Sequence, residues 1–254
     1  MKKKKKGALI TGAFLLVTAV SAFGSPTVRK AGDADAQKTE SIGGSPETET
    51  QVSVPIADNP HSRIPSLKEK VVLSQDGEEI FRTLFSFDSS GNCTQALLKQ
   101  PSGNTLTKYV YDQNQKLSGA EYYDPDGTLS GKAVFTLDQN GYVTKRTEYR
   151  GKTVSDTGGT ETYSYDSAGN VVTDSMYDSG GNLKDTFINE YSLDPSGASV
   201  SGCTVYRITG DSREVFETVR YEYGEENRLL AENRYDEQGN PETRVEYHYN
   251  GGSK

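Results

Sequence analysis

The sequence predicts an all-β fold: an antiparallel meander of tandem hairpins behind a disordered N-terminal tether. Three observations predict it. A Tyr-Asp-x-x-Gly pattern recurs along the chain, the steps between its copies are even, and no stretch repeats apolar residues at i, i+3, i+4 and i+7 over three turns.

The turns come first. Asp-x-x-Gly is the residue pattern of a type I turn, with Asp favoured first and Gly fourth. Full copies start at Asp88, Asp124, Asp138, Asp166, Asp178, Asp194 and Asp236. Degenerate copies start at Gln100, Asp112, Arg150 and Gly224, and one more turn is expected near Thr209 to Ser212. A larger unit opens with an aromatic residue at Phe85, Tyr109, Phe135, Tyr163, Tyr191, Tyr221 and Tyr247.

The strands follow from the turn type. A three-residue hairpin loop, a type I turn closed by a left-handed Gly with a bulge, pairs the residue before Asp with the residue two after Gly. A four-residue loop would instead throw successive Tyr to opposite faces; the bulged turn is expected. The first set reads Phe87, Tyr111, Tyr123, Leu137, Tyr149, Tyr165, Tyr177, Leu193, Tyr223, Tyr235 and Tyr249, broken by Lys99. The second reads Cys93, Leu117, Leu129, Val143, Val171, Leu183 and Leu229, broken by Thr105, Ser155, Ser199 and Pro241. Side chains alternate along a strand, so steps of twelve are expected to put both sets on one apolar face. Thr162, Ser164, Glu222 and His248 then fall on the other. A meander of twelve to fourteen twisted strands cannot leave such a face wet. It is expected to curl over its tyrosines as a half-pipe, spiral or open barrel, with exposed sheet edges at both ends.

The Tyr163-Ser164-Tyr165-Asp166-Ser167-Ala168-Gly169-Asn170-Val171 run resembles the YD repeat of Rhs and teneurin-type proteins. Phe85 to Cys93 and Tyr191 to Gly197 are weaker copies, and the half-repeats at Tyr123 and Tyr235 also resemble MORN-like bacterial hairpins. The resemblance implies a spiral of hairpins. In the large family members that spiral forms a shell around a passenger toxin; with six or seven units and a short tail after Tyr249, no such passenger is expected here.

Ahead of the repeats, Lys2 to Lys6 and the apolar run Ala8 to Val20 read as a secretory signal over 1–24, with cleavage after Ala22 or Gly24. Removing it takes the formal net charge from −8 to −13, which disfavours nucleic acid and anionic membranes. Residues 25–68 carry no aromatic side chain after the signal and are rich in Thr, Ser, Glu, Gly, Ala and Pro, so they are expected to be a disordered linker. The repeat domain is expected over 69–250, with a disordered tail at 251–254.

Little chemistry is written in the chain. His61 lies in the linker and His248 on the outer face, neither with a partner that would make it an acid or base. Cys93 and Cys203 are 110 residues apart. At ~4.8 Å per strand a flat meander holds them too far apart to bridge, so both are expected unpaired, as small buried hydrophobes. Asp124-Pro125-Asp126-Gly127 offers two carboxylates, too few for a calcium loop. No catalytic residue, metal site or cofactor is expected, and no binding residue is singled out. The reading is an exported, non-enzymatic β-repeat scaffold, secreted or at the cell surface, that binds an extracellular protein or glycan without entering a membrane. The alternatives are a carbohydrate or cell-wall binding module using tyrosine rings and, after it, a glycan-acting enzyme assembled from carboxylate pairs.

Overall fold

The computed structural model describes residues 67–250. The signal, most of the linker, His61 and the 251–254 tail lie outside them. Fourteen antiparallel strands follow in order: β1 (Leu67–Ser74), β2 (Glu79–Phe87), β3 (Cys93–Lys99), β4 (Thr105–Tyr111), β5 (Leu117–Tyr123), β6 (Leu129–Leu137), β7 (Val143–Arg150), β8 (Thr157–Tyr165), β9 (Val171–Asp178), β10 (Leu183–Leu193), β11 (Val200–Thr209), β12 (Ser212–Tyr223), β13 (Leu229–Tyr235) and β14 (Pro241–Tyr249). Each pairs with its neighbour in sequence, and β1 pairs with β14, so the sheet is a closed barrel. This corrects the expected half-pipe, spiral or open barrel. The two edges meet each other, which removes the hazard that unpaired strand edges pose. The first strand also begins at Leu67, two residues inside the expected linker.

The turn chemistry is as the sequence predicts. At the clearest copy, Gly169 N–H donates to the Asp166 carbonyl and Asp166 N–H to the Asn170 carbonyl, with Gly169 at φ 87°. The Asp166 carboxylate accepts the N–H groups of Ala168 and Asn170, and the Asn170 side-chain amide donates to its other oxygen. Asp88 with Asn92, Asp178 with Asn182 and Asp236 with Asn240 repeat that clasp. A hairpin does fall at Thr209 to Ser212. Two features escaped the spacing argument: a turn at Ser74 to Gly77, and a short 3-10 helix, Glu225–Asn227, in the last irregular loop.

The pairing inside each hairpin also holds, as Tyr165 pairs with Val171 and Tyr111 with Leu117. The single apolar face does not. Ser164 pairs with Thr173, skipping Val172, and a shift of the same kind follows nearly every turn. This second bulge, beyond the expected one at the turn glycine, adds one residue per hairpin, and one residue reverses every side chain beyond it. A step of twelve therefore sends successive pre-turn tyrosines to opposite faces: Tyr165 packs inside, and Tyr177, paired with Leu183, points out. Several bulges are marked by a hydroxyl three residues after the turn's left-handed position. Thr94, Ser118, Ser130 and Thr144 donate to the carbonyls of Ser86, Val110, Tyr122 and Thr136.

The repeat that matters is thus the larger unit of two strands. At one rim, which we call rim A, Leu67, Cys93, Leu117, Val143, Val171, Val200 and Leu229 point inward, none more than 3% exposed. They pair with Tyr249, Phe87, Tyr111, Leu137, Tyr165, Leu193 and Tyr223. At Leu193 the loop has one extra residue, so Val200 rather than Ser199 takes the apolar place. Tyrosine hydroxyls close the gaps between hairpins here. Those of Tyr111, Tyr165 and Tyr249 donate to the carbonyls of Cys93, Val143 and Leu229 at 2.8, 2.7 and 2.7 Å. These carbonyls lie just beyond the start of the next ladder, where no strand N–H reaches them. Buried Cys93 and Cys203 both point inward on β3 and β11, and no disulfide joins them.

Candidate functional site

A second inward layer lies one step deeper. The predicted unit openers Phe85, Tyr109, Phe135, Tyr163, Tyr191, Tyr221 and Tyr247 pair there with Ala96, Ala120, Arg146, Asp174, Cys203, Glu232 and Lys70. Those partners are at most 9% exposed. The interior is therefore not purely apolar, which corrects the expectation of a face dominated by Tyr. The bulge reverses parity and carries charged residues inside.

They form two networks. In the first, Arg146 donates to Glu161 at 3.0 Å, to the Tyr122 hydroxyl at 3.0 Å and to Glu148, while Tyr163 donates to Glu161. Asp174 sits beside Tyr163, 7% exposed, and its Oδ1 is buried with no hydrogen-bond partner among the described residues. Burial, then the charge of Glu161, lifts the Asp174 carboxyl to about 7 against the pull of Arg146. In the second, Arg234 holds Glu217 at 2.9 Å and Glu232 at 2.6 Å, and Tyr247 donates to Glu232 at 2.6 Å. Burial raises Glu232, but Arg234 and Lys70 outweigh it and keep the carboxyl below its usual range. Arg146 and Arg234 thus each meet carboxylate counter-charges, as a low-dielectric interior requires, whereas the Oδ1 of Asp174 stays unpartnered among the described residues.

Glu161 and Asp174 are diagonal neighbours, the kind of carboxylate pair a glycosidase uses. Both are under 8% exposed and roofed by Tyr163, itself 6% exposed, so no glycan reaches them. Cys203 is equally inert, its thiol pushed up to about 12 by burial. His248 lies outside, as predicted, 3.4 Å from Glu69 and 3.5 Å from Glu246. Among the described residues no group of His, Cys, Asp and Glu is placed to hold a metal ion.

The outer face carries the accessible chemistry. At the opposite rim, rim B, the reversed parity turns Tyr123, Tyr149, Tyr177, Tyr206 and Tyr235 outward beside Leu129, Thr157, Leu183, Val215 and Pro241. All five rings are half-buried, and Leu183 is 57% exposed. Cations cover three of them: Lys108 lies 4.6 Å from the Tyr123 ring, Arg213 3.6 Å from Tyr206 and Arg220 4.7 Å from Tyr235. Around β13, β14 and β1 the wall is laced with ion pairs, such as Arg244 with Glu222 and Arg82 with Glu69. That is unlike the apolar band of a lipid-facing barrel. Sequence reasoning missed this tyrosine belt because it placed every pre-turn ring inside. The hydroxyls at Thr94, Ser118, Ser130 and Thr144 were the signal that could have revealed it.

No protein-family model matches the sequence, and no curated protein is significantly similar to it. Solved structures of similar shape include a porin-like protein from Bacteroides uniformis, 12% identical over 72% of this chain and 97% of that one, with a TM-score of 0.43. A porin-like protein from Bacteroides vulgatus is 10% identical over 73% and 99%, with a TM-score of 0.39. The Photorhabdus luminescens Tc holotoxin pore is 12% identical over 71% of this chain but 13% of its own, with a TM-score of 0.29.

Proposed function

We propose that this protein is an exported, non-enzymatic binding scaffold, secreted or held at the cell surface, whose contact surface is the outer wall near rim B. The observation that carries this reading is the belt of Tyr123, Tyr149, Tyr177, Tyr206 and Tyr235, turned outward on a barrel whose inward Arg146 and Arg234 are held by buried carboxylates. Half-buried tyrosines present large, rigid, amphipathic contact area at little entropic cost. The Asp-x-x-Gly-Asn turn chemistry supports the YD-repeat resemblance, and a lysine-led apolar N-terminus supports export. Charged pairs on the wall support a barrel that stands in water rather than in lipid.

Labelled full-length protein, added to washed cells of the producing organism, is expected to stay with the cells. A Tyr123→Ala, Tyr177→Ala, Tyr235→Ala triple variant that still folds is expected to remain in the supernatant. Wild-type protein that stays in the supernatant, or a triple variant retained as well as wild type, overturns the proposal.

A further inference from the structure

The belt is not uniform. Tyr149 and Tyr177 differ from Tyr123, Tyr206 and Tyr235, since no cation lies over their rings among the described residues. They stand on β7 and β9, on either side of β8, two strands apart and roughly 10 Å across the sheet. Between them the start of β8 reads Thr157-Gly158-Gly159-Thr160, with no side chain larger than threonine. Thr157 pairs with Tyr149, and Thr160 with both Thr147 and Tyr177. Two rings thus rise beside a small, hydroxyl-bearing floor.

The floor itself is neutral. The outward positions of β8 and β9 are Thr157, Thr160, Thr162, Ser164, Thr173, Ser175 and Tyr177, none of them charged. Ser175 and Thr186 extend the hydroxyl array onto β10 through a 3.2 Å bond. On a chain of net charge −8 whose wall carries ion pairs such as Arg244–Glu222 and Arg82–Glu69, β8 and β9 present an uncharged outer surface. The nearest charges stand at its flanks: Lys132, held by Glu121, pairs with Tyr149, Lys145 pairs with Thr162, and Lys184 holds Asp178 beside Tyr177. A neutral polyhydroxylated ligand meets what it needs: ring faces for its C–H surfaces and hydroxyls for its own.

Building on the scaffold reading, we propose that the Tyr149–Tyr177 trough binds a neutral polysaccharide, laid across β8 with a sugar face against each ring. The two rings, a few strands' width apart, suit a ligand of at least two sugar units, and Leu183 beside Tyr177 extends the apolar contact.

Native electrophoresis of the full chain in gels containing laminarin, xylan or glucomannan tests the proposal, with polygalacturonate as an acidic control. Mobility is expected to fall in at least one neutral polysaccharide and not in polygalacturonate. Tyr149→Ala and Tyr177→Ala are each expected to weaken that retardation about fivefold or more, as is Thr160→Lys, which puts a charge on the floor. Tyr177→Leu keeps apolar bulk without a ring, so the same loss there, with an unchanged melting curve, assigns the effect to stacking. Unaltered mobility in every neutral gel overturns the proposal even if the protein stays on cells, in which case the scaffold reading survives alone. Loss of retardation in Tyr235→Ala but not in Tyr149→Ala or Tyr177→Ala also overturns it, placing the contact elsewhere on the belt.

Discussion

The hydroxyl of Tyr165 donates to the carbonyl of Val143 at 2.7 Å, tying one hairpin to the next where the ladder between β7 and β8 has not begun. Tyr165, like Tyr111 and Tyr249, thus fills space and also satisfies a carbonyl that no strand reaches. Tyr165→Phe is expected to cost about 1 kcal/mol or slightly more, because it leaves that acceptor partly buried and unpaired. Tyr177→Phe, on the outside, should leave urea unfolding unchanged. Equal midpoints for the two variants would contradict the assigned role.

Arg146 is 7% exposed and shared by Glu161, Glu148 and Tyr122. Arg146→Ala strands two carboxylates around a lost cation and should cost about 3–5 kcal/mol. Arg244 makes comparable pairs with Glu222 and Glu246 on the outside, where solvent screens them. Arg244→Ala should cost less than about 1 kcal/mol. Denaturant titrations of both variants check the contrast.

Because the Asp174 carboxyl is lifted to about 7 by burial and by Glu161, the folded chain holds a proton between about pH 4 and 7 that the unfolded chain releases. The stability this group contributes is full below the unfolded value and is lost as pH rises through about 7. Asp174→Asn keeps the shape and removes the titration. Its melting temperature should exceed that of wild type at pH 8, by the equivalent of a few kcal/mol, and the gap should narrow towards pH 5. A gap independent of pH would assign the effect to packing instead.

The turn aspartates act in the opposite direction. Hydrogen bonds from the backbone and side chain of Asn182 hold Asp178 down to about 2, and Asp88, Asp194 and Asp236 are lowered too. Their contribution is present above the unfolded carboxylate range and fades as pH falls towards 2. Wild-type stability measured by melting is therefore expected to drop below about pH 4, and Asp178→Asn should show a shallower drop.

Gln115 occupies a position that Gly fills in most of the other turns, at φ 61°. A left-handed backbone is unfavourable for a residue with a Cβ. Gln115→Gly is expected to stabilise the barrel by about 1 kcal/mol, read as a higher urea midpoint with an unchanged slope.

Barrel closure rests on β1, whose residues Lys70, Val72 and Ser74 pair with Tyr247, Val245 and Thr243. Deleting 67–74 uncovers the edges of β2 and β14 together. The shortened chain should self-associate on size-exclusion chromatography, since open edges invite pairing with another chain. A monomer with an unchanged melting curve would show that closure contributes little.

Local chemistry was legible wherever it was written within one hairpin. Asp166, Gly169 and Asn170 name the loop, and the loop fixes Tyr165 opposite Val171. The openers from Phe85 to Tyr247 marked the true two-strand unit, although their charged partners Lys70, Arg146, Asp174 and Glu232 were not foreseen. Thr144 and Ser118 carried the signal for the second, unforeseen bulge, but a hydroxyl three residues past a turn reads as an ordinary exposed polar group until the carbonyl it caps is in view.

What the chain by itself determined was therefore strand, turn and partner, because these depend on residues a few positions apart. Tertiary structure decided which ring points inward and where the sheet ends. The first is a parity that one inserted residue reverses. The second is the sum of twist over fourteen strands, which brings Leu67 against Tyr249. Neither quantity belongs to any single hairpin, so no single repeat could state it.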